Sequence, residues 1–89
     1  MIFKVLLHPK AAKALQKLDA KNKLQIKTAL GTLLTNPYES GEPMHPSDYW
    51  KIKAEDYRAI YEIDSAKQEV IVLFIGHRRN MYDDFSKIL

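Results

Sequence analysis

At 89 residues and 10.3 kDa, the chain fits one small domain, residues 1–89. It buries only about 60% of the surface that its unfolded form would expose, which excludes a dinucleotide-binding fold. The absence of cysteine excludes disulfides, zinc ribbons, iron–sulfur clusters and thiol nucleophiles, and reads as an intracellular, cytoplasmic protein. The net charge is +3, a weak pointer to an anionic partner. It is unevenly spread: residues 1–46 carry seven Lys against three Asp or Glu, whereas residues 47–89 carry seven Lys or Arg against eight.

Residues 2–7 are rich in Ile, Phe, Val and Leu and predict a first strand. Their length is far below the ~20 apolar residues of a membrane span, and no basic segment precedes them as in a signal peptide. Pro9 suits the first position of a helix. Ala11, Ala14, Leu15 and Leu18 then fall on one helical face, with Lys10, Lys13 and Lys17 outside it. Asp19 can cap a second helix. The expected buried stripe there is Ile26, Ala29, Leu30 and Leu33, widened by Leu24 and Leu34, and Asn36-Pro37 is expected to stop the helix. Residues 36–48, with three prolines and one glycine, read as a loop.

The texture then changes to alternation. Tyr49–Lys53 and Tyr57–Ile63 predict a hairpin about the turn Ala54-Glu55-Asp56. Val70–Ile75 is apolar on both faces, as expected of a central strand under helices, and Gly76 should end it. Arg79–Leu89 reads as a short terminal helix with Tyr82, Phe85 and Leu89 on one side. The fold class is α+β: an N-terminal strand, an antiparallel helical hairpin, a three-stranded antiparallel meander and a short C-terminal helix.

The candidate chemistry lies in the meander. Period two places Lys51 and Lys53 on one face, opposite Trp50 and Ile52. Arg58 sits close across the hairpin. Gly76-His77-Arg78-Arg79 brings more cations to the end of the third strand. Lys51, Lys53, Arg58 and Arg78 are thus expected around one concavity, where an anion, phosphate above all, would relieve their mutual repulsion. A neighbouring cation disfavours the charged form of a lysine, and an amine without its proton can act as a general base. Arginines stabilise charge on phosphorus. The ordinary readings are alternating lysines on a solvated strand, a salt bridge from Arg58 to Glu55 or Glu62, and Tyr82 as a packing residue. His8 and His45 stand beside prolines with no evident partner. No metal-ligand spacing, phosphate-cradling glycine loop or nucleophile elbow is present.

The series Asn36-Pro37, Tyr49-Trp50-Lys51-Ile52-Lys53, Asp56-Tyr57-Arg58-Ala59-Ile60-Tyr61-Glu62-Ile63, Val72-Leu73-Phe74-Ile75-Gly76-His77-Arg78-Arg79 and Tyr82 resembles the RelE/ParE family of toxin–antitoxin toxins over nearly the whole chain. For the RelE branch the resemblance implies a ribosome-dependent messenger-RNA endoribonuclease that uses no metal or other cofactor. The 2′-hydroxyl attacks the adjacent phosphorus, leaving a 2′,3′-cyclic phosphate and a 5′-hydroxyl. Position by position, Lys51 and Lys53 match the family's strand lysines, one of which helps activate the 2′-hydroxyl. Arg58 matches the phosphate-holding arginine, Arg78 the arginine that stabilises the transition state and serves the leaving oxygen, and Tyr82 the tyrosine that orients the nucleotide. His77 and Arg79 are expected to bind RNA. The implied partners are a cognate antitoxin in a hetero-oligomer, the ribosome and messenger RNA, and no membrane. The gyrase-poisoning ParE branch and a non-catalytic antitoxin-binding relative are the alternatives.

Overall fold

The computed structural model describes residues 2–86, with the side chains of Tyr82 and Asp84 outside the description. The elements in order are β1 (Lys4–Leu7), α1 (Pro9–Lys17), α2 (Ala20–Thr32), α3 (Pro37–Ser40), β2 (Glu42–Pro43), β3 (Trp50–Ala54), β4 (Tyr57–Asp64), β5 (Glu69–His77) and α4 (Met81–Ser86). The expected α+β class holds. The sheet has the order β1-β5-β4-β3-β2. β3, β4 and β5 form the antiparallel meander, and β1 adds to β5 in parallel.

Both long helices start where side chains satisfy their first amides. Asp19 accepts from the Asn22 amide at 3.4 Å and the Asn22 side-chain amide at 2.7 Å. His8, which the sequence left without a partner, caps α1: its Nδ1 accepts from the Lys10 N–H at 3.2 Å. Such caps contribute about 1 kcal/mol. Ala11 and Leu15 of α1, with Ile26 and Leu30 of α2 and Leu33 just after it, are buried against Ile52, Ala59, Tyr61, Val70 and Val72 of the sheet. Leu24 and Leu34 do not widen this stripe: they are 66% and 40% exposed. Gly76 does not end β5, which continues to His77.

The segment read as a loop is more ordered than its composition suggests. α2 ends at Thr32, and Pro37 opens α3 instead of merely stopping α2. The anchor is Tyr61, fully buried, whose hydroxyl donates to the Pro37 carbonyl at 2.7 Å. Burial pushes that hydroxyl up to about 12 from its ordinary 10.0. Gly41 is glycine because a Cβ there would collide with the Tyr61 hydroxyl and lie 2.6 Å from the Lys51 carbonyl. That close approach lets β2 pair with β3, Glu42 opposite Lys51.

A bulge in β5 divides the two sheet faces. Ile60 pairs with Phe74 but Tyr61 pairs with Val72, so Leu73 is the extra residue. Val70, Val72 and Ile75 face α1 and α2, whereas Phe74 turns to a second cluster with Ile60, Met81 and Phe85. α4 thus covers part of the sheet face opposite α1 and α2. The side it lays down is Met81 and Phe85; the Tyr82 side chain and Leu89, expected beside Phe85, lie outside the description.

Candidate functional site

Register decides which charged side chains share a face. Lys51 stands opposite Ile60, and Lys53 opposite Arg58. Ile60 belongs to the cluster under α4, so Lys51, Lys53 and Arg58 all point away from α1 and α2. Lys51 is half-buried and Lys53 exposed. Arg58 in turn stands opposite Gly76. A Cβ on Gly76 would collide with the Phe74 ring, so this glycine makes room for the ring at that position.

Arg58 does not pair with the carboxylate of Glu55 or Glu62. Its Nη1 donates to the Glu55 and Tyr57 carbonyls at 2.7 and 2.8 Å, folding the guanidinium over the β3–β4 turn. Arg78 arrives at the same turn from the end of β5. Its N–H donates to the Asp56 carbonyl at 2.8 Å, and its Nε lies 3.8 Å from Asp56 Oδ1. Both side chains of that ion pair are more than half exposed, so it contributes at most about 1 kcal/mol. Two arginines twenty residues apart therefore converge on residues 55–57, with Lys53 directly across from one of them. Asp56 is the residue whose role the sequence reading missed. Its place in a two-residue turn before Tyr57-Arg58 makes its carbonyl the dock for Arg78.

The remaining candidates are placed differently. His77 stands opposite Tyr57, and its ring meets the Tyr57 ring edge-on at 5.4 Å. Tyr57 packs against the cluster under α1 and α2, so the His77 ring lies on the far side of the sheet from Arg58. Arg79 is exposed in the turn that follows. Tyr82 lies in α4, its side chain undescribed.

Beside Lys51 the same face holds a groove of about 400 Å³, lined by Pro43, Met44, His45, Tyr49, Phe85 and Ser86 among others. The Tyr49 and Phe85 rings meet edge-on at 5.2 Å in its wall. Its size is in the range of ligand clefts. Along the other edge of β3, Leu24, Thr28, Ala29 and Ala54 line a shallow, mostly apolar groove that includes Lys53. Among the described residues, no three His, Asp or Glu side chains gather as a metal site requires.

The described surface thus offers donors and positive charge in one place, with flat apolar rings beside it. Such a surface can grip a phosphate and cradle a base. The comparisons with known proteins bear on the fold and the family. Among solved structures, the chain is similar to the RelBE toxin–antitoxin complex of Mycobacterium tuberculosis (25% identity, 88% of this chain and 100% of that one, TM-score 0.79). It is also similar to a double arginine-to-alanine mutant of the Escherichia coli toxin RelE in the free state (25% identity, 100% of both chains, TM-score 0.78). The intact E. coli RelBE complex matches at 27% identity over 84% of this chain and 95% of that one, with a TM-score of 0.74. No curated protein matches the sequence. The family model for the ParE toxin of the type II toxin–antitoxin system parDE matches residues 5–82, and with it the chain belongs to the RelE/ParE superfamily of type II toxin–antitoxin toxins.

Proposed function

We propose that this toxin is a messenger-RNA endoribonuclease acting on the translating ribosome. The observation that carries the reading is the convergence of Lys51, Lys53, Arg58 and Arg78: three share one sheet face, and the fourth docks on the turn beside them. In the reaction the RNA 2′-hydroxyl loses its proton and bonds to the adjacent phosphorus, and the bond to the 5′-oxygen breaks. The products are a 2′,3′-cyclic phosphate and a 5′-hydroxyl. One of the strand lysines, Lys51 or Lys53, takes the proton of the attacking hydroxyl, and a proton from the surrounding water completes the 5′-hydroxyl. Arg58 holds the non-bridging oxygens, whose negative charge grows in the transition state. Arg78 stabilises the same charge and serves the leaving oxygen. Arg79 contacts the flanking backbone, Tyr82 orients the nucleotide, and the groove walled by Tyr49 and Phe85 takes a neighbouring base.

The relatives crystallised with RelB support a second part of the proposal, a cognate antitoxin bound in a hetero-oligomer. The apolar groove beside Leu24, next to the β3 edge, suits a partner segment.

Primer extension on a message with and without translating ribosomes tests the reading. Cuts within the message that depend on the ribosome support it. The ParE family match favours one second reading, a gyrase poison. Intact messages together with gyrase-dependent DNA breaks would establish that reading in place of the first.

A further inference from the structure

We infer that His77 is a positioning residue whose imidazole holds the turn that presents Arg78 to the phosphate. The inference rests on the nuclease reading above. Its ground is a set of contacts that converge on one backbone turn. β5 ends at His77, whose ring is seated edge-on against Tyr57 at 5.4 Å and 71°. Tyr57 in turn packs against the main core, so the imidazole is anchored to the rigid part of the molecule. From there its Nδ1 accepts the Arg79 N–H at 3.2 Å, and its carbonyl accepts the Asn80 N–H at 3.0 Å.

Arg78 lies inside the loop closed by those two bonds, and its own N–H is held by the Asp56 carbonyl at 2.8 Å. Its backbone is therefore gripped from both sides, by the β3–β4 turn and by His77. Among the described residues the side chain itself has only a long, exposed ion pair with Asp56, too weak to set its direction. The aim of the guanidinium must come from the backbone beneath it. The ring also faces away from Arg58 and Lys53, which leaves it the wrong side of the sheet for gripping the same phosphate.

The chemistry of the latch is specific. The bond from Arg79 requires a lone pair on Nδ1, hence the proton on Nε2. Asparagine carries a carbonyl oxygen on the same Cγ and can accept from a backbone N–H two residues on. Phenylalanine keeps a ring for Tyr57 but offers no acceptor. The two variants therefore separate the hydrogen bond from the packing.

Wild type, His77→Asn and His77→Phe are compared in ribosome-dependent cleavage, with kcat and KM measured separately, and in amide hydrogen exchange at Arg79. The expected result is a loss of roughly tenfold or more in kcat for His77→Phe with KM little changed, because a misaimed group costs transition-state stabilisation and not binding. His77→Asn should recover to within about threefold of wild type. Exchange at Arg79 should speed up in the Phe variant and slow again in the Asn variant. If His77→Phe does not fold, His77→Leu supplies the arm without an acceptor. A Phe or Leu variant that cuts at the wild-type rate, an Asn variant as poor as Phe, or equal Arg79 exchange in all three would overturn the inference while the nuclease reading stands. Wild-type protein that cuts no message would bring down the nuclease reading, and this role with it.

Discussion

Replacing Tyr61 with Phe should produce a stability difference that reverses sign with pH. The hydroxyl is fully buried and donates to the Pro37 carbonyl at 2.7 Å. Its loss leaves that carbonyl without this donor, so the variant should be less stable at pH 8 by about 1–2 kcal/mol. For a domain of this size that is a fall in Tm of roughly 4–16 °C. At alkaline pH the comparison changes. The folded hydroxyl titrates near 12, against 10.0 for an ordinary tyrosine. Below pH 10 both folded and unfolded forms hold the proton and the full stability is present. Between 10 and 12 the unfolded chain releases it first, so stability falls by about 1.4 kcal/mol per pH unit, to a total of roughly 2–3 kcal/mol. The Phe variant has no such proton. Urea denaturation of both proteins from pH 8 to pH 12 should therefore show the two curves converging and then crossing. Other tyrosines and the lysines titrate in both proteins and cancel in the difference. A constant difference across the range would refute the reasoning, since it would mean that Tyr61 ionises as easily in the folded protein as in the unfolded one.

Arg78→Ala should abolish growth arrest in cells while Tm changes little, because the side chain is exposed and its ion pair contributes at most about 1 kcal/mol; arrest at the wild-type level would remove Arg78 from the site. Lys53→Ala should slow cleavage more than it lowers stability, and relief of like-charge contact with Arg58 should even raise stability by up to about 1 kcal/mol; thermal melts beside cleavage rates check both. Gly41→Ala should destabilise by about 1–3 kcal/mol, because the new methyl group meets both the Tyr61 hydroxyl and the Lys51 carbonyl, which chemical denaturation measures. Inorganic phosphate should raise Tm beyond chloride of equal ionic strength, by about 1.4 kcal/mol of stability at ten times its Kd, and the excess should shrink in Arg58→Gln; an equal rise in both proteins would point to general salting effects instead.

Sequence periodicity captured the elements whose stability is local or one-sided. Ala11 and Leu15, and Ile26, Leu30 and Leu33, repeat at helical spacing because one face meets the sheet. Parity placed Lys51 and Lys53 on one side, and the short hairpin brought Arg58 across from them. What escaped depends on partners far away in the chain. α3 and β2 exist where Tyr61 reaches back 24 positions to Pro37 and where Gly41 admits a neighbouring strand. Neither contact leaves a periodic trace. Leu24 matches the helical stripe yet lies beside the open edge of β3, where little stands to cover it. His8 and His77 were legible as histidines next to turns but not as acceptors for amides two residues on. That role depends on backbone angles, not on residue type.

The β3–β4 turn explains how the cations can be held without being neutralised. Glu55 adopts a left-handed conformation, φ 57°, which costs a residue with a side chain about 1–2 kcal/mol. In exchange the turn directs one carbonyl, that of Glu55, at the Arg58 Nη1, and another, that of Asp56, at the Arg78 N–H. A carbonyl oxygen satisfies a donor but brings no net charge. Had carboxylates held the guanidinium of Arg58 and the backbone of Arg78, the positive field at the site would have been cancelled by its own scaffold. Instead the carboxylate beside Arg78, that of Asp56, lies at 3.8 Å and in solvent. An incoming phosphate oxygen can replace it at little cost. The strained tip of a hairpin thus does for this surface what buried acids do elsewhere in proteins: it fixes the direction of the arginines. It leaves their charge for the ligand.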